Sequence, residues 1–186
     1  MTSPDRPPWR SAPVVLWTAS MAALVLAPLA RPGYALVGDM VFTPQQTLLP
    51  DALGLGSGLP RAVPADAVVA VLTQVVDGAL VQRVALVAAL LLAGLGAARL
   101  APGGRWAAAG ASTLMIWNPW VAERLALGHW ALLLAYGTVP WLVAAGLDVR
   151  AARPGARWRV LAWLALASLT PPGAVVALAT VLPVVL

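Results

Sequence analysis

The chain has 186 residues, of which 61% are hydrophobic and only 10% charged. Soluble domains carry about 25% charged residues, so an ordinary water-soluble fold is excluded. The absence of cysteine removes disulfides and thiolate metal sites from consideration. The net charge of +5 is carried by arginine without lysine. In so apolar a chain it reads as membrane topology and not as nucleic-acid binding.

Uncharged runs lie at 11–30, 84–98, 106–122, 125–147 and 160–186. Most reach the roughly 17–25 residues that a membrane-crossing helix needs. They predict an all-α, polytopic transmembrane helical bundle of about five to six spans, with 1–186 forming a single transmembrane domain. The first span is "SAPVVLWTASMAALVLAPLA", 11–30, with Arg6 and Arg10 before it. Residues 31–63 are rich in Pro and Gly and predict a mostly apolar loop that packs on the membrane surface.

"PADAVVAVLTQVVDG", 64–78, is the clearest periodic segment. At about 100° per residue, Asp66, Thr73, Gln74 and Asp77 share one face and the valines take the other. The segment is too short to cross and predicts an interfacial helix, its acidic face toward water or a partner helix. A charge at Thr73 should then be tolerated and one at Val71 should not. A second span follows over about 79–98, with Gln82 and Arg83 near its start. A third span is expected over 106–121 and a fourth over 131–147.

Between those two lies "WNPWVAERLALGHW", 117–130, with the only Glu and the only His of the chain. Its Trp residues suit an interfacial aromatic belt, and Asn118-Pro119 can end the third helix. Arg124 and His129 would stand about 140° apart on a continuous helix. They converge only if the chain bends near Gly128. His129 has no second ligand at helical spacing, so no metal site and no cofactor is assigned. Further on, "DVRAARPGARWR" is the densest basic cluster, and "TPPG" at 170–173 interrupts the final apolar stretch, 160–186.

The arginines set the topology. Arg6, Arg10, Arg99, Arg105, Arg150, Arg153, Arg157 and Arg159 fall in segments read as cytoplasmic, and Arg31, Arg61 and Arg124 in segments read as external. The expected location is the plasma (inner) membrane, multi-pass, with the N-terminus cytoplasmic. Asp39, Gln82, Arg83, Glu123, Arg124 and His129 then gather at the outer surface. Arginines can pair with phosphate oxygens in a bidentate way, and a carboxylate can take a proton from an attacking hydroxyl. No phosphate loop, GxSxG, HExxH or internal repeat occurs.

The order of first span, outer loop with an early Asp, interfacial helix and second span resembles the integral-membrane glycosyltransferases of the C-type superfamily. "VQRVALVAALLLAGLGAARL" followed by "WNPWVAERLALGHWALLLAYGTVPWLVAAGL" is similar to the pattern of actinobacterial cell-wall arabinofuranosyltransferase-like proteins. Gln82, Arg83, Gly96, Arg99, Leu100, Pro140 and Trp141 occupy the matching places. The resemblance implies a polyprenyl-phosphate-sugar donor, a glycan acceptor and transfer on the outer face in cell-envelope assembly. It implies Asp39 as the catalytic base, with Gln82, Arg83, Glu123, Arg124 and His129 binding substrate. Asp39 lacks the adjacent second acid common in that superfamily, which leaves a divalent metal unsupported. Members are several times longer, so the chain reads as the N-terminal part of a longer protein. A transporter or flippase fragment, or a non-catalytic membrane subunit packed through small residues, remains the alternative. Membrane lipids are the expected surroundings in every case.

Overall fold

The computed structural model describes residues 7–29, 31–56 and 62–186, and among them every regular element is helical. Three helices are long and apolar enough to cross a membrane. They are α1 (Ala12–Leu26, extended by a 3-10 turn to Leu29), α3 (Gly78–Leu100) and α6 (Trp130–Arg150). At about 1.5 Å per residue, α3 and α6 run about 35 and 32 Å, matching the roughly 30 Å hydrocarbon layer. Between α1 and α3 lies the short α2 (Ala65–Leu72). The chain is thus an all-α, polytopic transmembrane bundle.

The other expected spans resolve into shorter helices, for local reasons. The third becomes α4 (Arg105–Ile116), followed by α5 (Pro119–Ala126). Asn118 separates them: its Oδ1 accepts from the Val121 N–H at 3.0 Å, and its Nδ2 donates to the Leu114 and Met115 carbonyls. One side chain thereby closes one helix and caps the next. The final stretch becomes α7 (Ala156–Ala167) and α8 (Pro171–Val185). Thr170 caps α8 through the Gly173 N–H, and Pro171 and Pro172 begin it where a missing N–H costs nothing.

The centre of the bundle is α6, which packs on α3, α7 and α8. Gly137 of α6 lies against the Ala89 carbonyl of α3, an approach that leaves no room for a Cβ. Farther along, the Trp141 indole N–H donates to the Leu92 carbonyl at 2.9 Å. The contacts advance together along both helices, so α3 and α6 run in the same direction. On the opposite side of α3, Gly94 faces Thr18 of α1 and Ser112 and Ile116 of α4. The Thr18 and Ser112 hydroxyls are buried 2.8 Å apart. Small residues and interhelical hydrogen bonds hold helices together where burial of apolar surface supplies little drive.

One end of the bundle collects Arg10, Arg99, Arg105, Arg150, Arg153, Arg157 and Arg159. There Asp148, only 7% exposed, receives Arg153 at 2.7 Å, Arg159 at 3.0 Å and Arg99 at 3.7 Å. Three indoles close over this knot: Trp141 stacks on Trp163 at 5.3 Å and meets the edge of Trp9 at 5.7 Å. Gly96, Arg99, Pro140 and Trp141 therefore meet in one packed cluster. Nothing local in the sequence marks Asp148 as its anchor.

The opposite end carries the loops. The first loop does more than rest on a surface. Met40 and Phe42 are buried in the core, and Phe42 packs on Trp130 at 5.4 Å. The segment expected as one helix over 64–77 is α2 and then turns, with Asp77 capping α3 through the Ala79 N–H at 2.8 Å. Of its polar residues Thr73 is turned inward, while Gln74 and Asp77 stay exposed. Thr73, 2% exposed, accepts from the Gln46 N–H at 3.0 Å, and Gln74 donates to the Gln46 carbonyl at 3.0 Å. Val68, Val71, Leu72 and Val75 face outward. Tolerance of a charge at Thr73 is thus corrected: the loop backbone, and not water, partners its hydroxyl.

Candidate functional site

The loop end contains a cavity of about 440 Å³ whose wall includes Asp39, Asp66, Arg124, His129 and Thr170. Phe42, Val69 and Trp130 supply apolar wall. Its size falls within the roughly 300–1,000 Å³ of small-ligand sites. The first loop, α2 and the two turns that precede α6 and α8 all contribute, so the cavity exists only once these segments are docked.

Two glycines make the docking possible. Gly38 and Gly128 both have positive φ, +53° and +76°. A Cβ on Gly38 would strike the Leu127 carbonyl, and one on Gly128 the Val37 carbonyl and the Met40 nitrogen. With both side chains absent, the Asp39 N–H donates to the Leu127 carbonyl at 3.0 Å. The turn at 37–40 and the α5–α6 turn become one backbone unit. The left-handed residue at Gly128 also supplies the bend needed to bring Arg124 and His129 together.

The result is a continuous polar chain. His129 Nε2 stands 3.4 Å from Asp39 Oδ2. His129 Nδ1 stands 3.1 Å from Arg124 Nη1, and Arg124 Nη2 lies 2.8 Å from Glu123 Oε1. A guanidinium only donates, so Nδ1 must accept, and the ring proton of neutral His129 sits on Nε2, the nitrogen nearer Asp39. The Asp39 carboxylate is 80% exposed at its side chain, with one oxygen beside His129. Arg124 is nearly enclosed, and its Nε is buried with no hydrogen-bond partner. A buried donor left unpaired costs about 1–3 kcal/mol. Across the cavity, burial pushes the Asp66 carboxyl above its ordinary value of 3.8.

Gln82 and Arg83 stand elsewhere. Gln82 is 2% exposed. Its Oε1 accepts from the Ala35 N–H and its Nε2 donates to the Ala35 carbonyl, both at 2.9 Å. The side chain acts as a rung that ties the first loop to α3, and both its functional ends are occupied. Arg83 is exposed and donates to the Gly33 carbonyl at 3.1 Å. These two residues hold the loop, while Asp39, Arg124 and His129 line the cavity and Glu123 braces Arg124 from outside it. Gln46, Asp66 and Thr170 are the polar wall residues not anticipated as site residues. The only signal for Asp66 was its place on the polar face of the 64–78 segment.

No group of three or more His, Asp or Glu able to hold a metal ion occurs among the described residues. No protein-family model matches the chain, and neither the curated proteins nor the solved structures contain a match.

Proposed function

We propose that the chain is a glycosyltransferase, or the part of one, that uses a polyprenyl-phosphate-sugar donor on the outer face of the membrane in cell-envelope glycan assembly. The observation that carries this reading is Arg124. It lines the cavity beside the exposed Asp39 carboxylate, with part of its own side chain open to that space. A phosphate oxygen is the acceptor that suits a guanidinium best. In the proposed step Asp39 takes the proton of an acceptor hydroxyl. The oxygen attacks the anomeric carbon, the bond from that carbon to the phosphate oxygen breaks, and the lipid phosphate leaves with the electron pair. Arg124 stabilises the charge that develops there, and His129 keeps Asp39 aimed.

The test is equilibrium binding of a polyprenyl monophosphate to the purified full chain in detergent. Arg124→Gln should weaken binding by about tenfold or more, the effect of losing a charge-assisted hydrogen bond. Arg157→Gln, at the opposite end of the bundle, should not change it. Equal losses in the two variants, or no binding by the parent chain, reject the reading.

A further inference from the structure

A second cavity lies on the outside of the bundle and is independent of the proposed glycan chemistry. It is a groove of about 600 Å³ between α1 and α4, with Val14, Trp17, Trp106, Ala109 and Gly110 on its walls and Arg105 at one mouth. From Arg105 to Thr113 it follows α4 for eight residues, or about 12 Å. That is most of the roughly 15 Å depth of one leaflet of the hydrocarbon layer. The far end is closed where the Trp17 indole N–H donates to the Thr113 hydroxyl at 2.8 Å. The floor is open at Gly110, where an added Cβ would meet nothing within 4 Å.

The charge at the mouth is unbalanced. Arg105 has no carboxylate within ion-pair distance among the described residues, whereas Arg99, Arg153 and Arg159 at the same end share Asp148. Trp106 is largely exposed beside Arg105, whose guanidinium lies 5.4 Å from the indole centroid. An apolar slot that begins at an exposed indole and a guanidinium without a carboxylate partner among the described residues has the polarity of one lipid molecule: an anionic phosphate above, an acyl chain below. We propose that the groove between α1 and α4 is a binding site for an anionic phospholipid, its phosphate on Arg105 and one acyl chain along Trp17, Ala109 and Gly110.

The experiment titrates the purified full chain in detergent with phosphatidylglycerol or with phosphatidylcholine of the same acyl chains. Bound lipid is counted by native mass spectrometry. The parent chain should prefer phosphatidylglycerol. Arg105→Gln should lower phosphatidylglycerol affinity by about tenfold, consistent with one lost charge-assisted hydrogen bond, and bring the two lipids level. Gly110→Leu should fill the floor and weaken both lipids. It faces open space and replaces a poor helix former with a good one, so the fold should persist. Arg157→Gln, at the same end but outside the groove, should change nothing. The proposal is overturned if Arg157→Gln matches Arg105→Gln, since the attraction is then diffuse. It also fails if Gly110→Leu binds lipid normally, if that variant changes the oligomeric state, or if glycerol 3-phosphate alone competes as well as the whole lipid.

Discussion

Asp148→Asn tests how the arginine end is held. The substitution keeps shape and removes one charge, leaving Arg99, Arg153 and Arg159 facing a neutral amide. Breaking a fully buried ion pair costs about 3–5 kcal/mol. The side chains of Arg153 and Arg159 are substantially exposed, 65% and 43%, and can turn toward water. Arg99 is less free, at 29%, and lies within 6 Å of the Trp9 and Trp141 ring centroids. The loss should therefore sit near the lower bound, about 3 kcal/mol. For chains of 150–250 residues each kcal/mol shifts Tm by about 2–4 °C, so a fall of about 6–12 °C is expected. Tryptophan fluorescence during thermal unfolding in detergent reads it, because Trp9 and Trp141 pack on Arg99 of the knot. Arg99→Gln should cost less, since Asp148 keeps two partners. A Tm within about 2 °C of the parent for Asp148→Asn, below the shift for a single kcal/mol, would refute the claim that this carboxylate anchors α3, α6 and α7.

Thr73→Val should destabilise the loop end by about 1–3 kcal/mol, because the Gln46 N–H loses its acceptor; faster amide exchange at Gln46 is the direct readout. Asp66 gives a pH dependence of known sign. Its folded pKa lies above 3.8, so the folded state holds the proton more tightly, and stability falls as pH rises from about 3.8 through the folded value. Asp66→Asn should raise Tm at neutral pH and give no gain below that window; a gain independent of pH would contradict burial as the cause. For topology, Thr47→Cys should react with a membrane-impermeant thiol reagent in intact cells and Ala151→Cys should not, with the reverse pattern inverting the orientation. Ser57, in the loop read as external, lies outside the described residues, as do Arg6 and Arg61.

Helix positions were legible wherever a breaker had a local mechanism. Asn118-Pro119 and Thr170-Pro171-Pro172 carry a cap and a helix start in adjacent residues, and the chain divides there. Lengths were less legible, because an apolar run shows what can sit in lipid and not where the backbone stops being helical. The 64–78 segment separates cleanly into two faces, yet periodicity does not say what each face meets. The partner of Thr73 is a backbone N–H in a loop 27 residues earlier. The candidate site shows the same limit. The bend that joins Arg124 to His129 could be read from Gly128, but Asp39 and His129 are 90 residues apart and meet only because Gly38 and Gly128 let two turns touch. Gln82 illustrates the opposite error. A polar residue opening an apolar span suggests ligand binding, and here it satisfies the backbone of Ala35. Asp148 was hidden among arginines that the topology alone explained.

The most direct measurement of the central claim is sugar transfer from a polyprenyl-phosphate-sugar donor by Asp39→Asn, assayed beside donor binding and membrane expression. Loss of a general base typically lowers the rate by about 100- to 10,000-fold. The account predicts a loss of that size with expression and donor binding unchanged, because Asp39 is exposed and its fixed neighbours, the Asp39 N–H and the Leu127 carbonyl, belong to the backbone. Transfer at near-parent rates, or loss of transfer only together with loss of the folded protein, would contradict it.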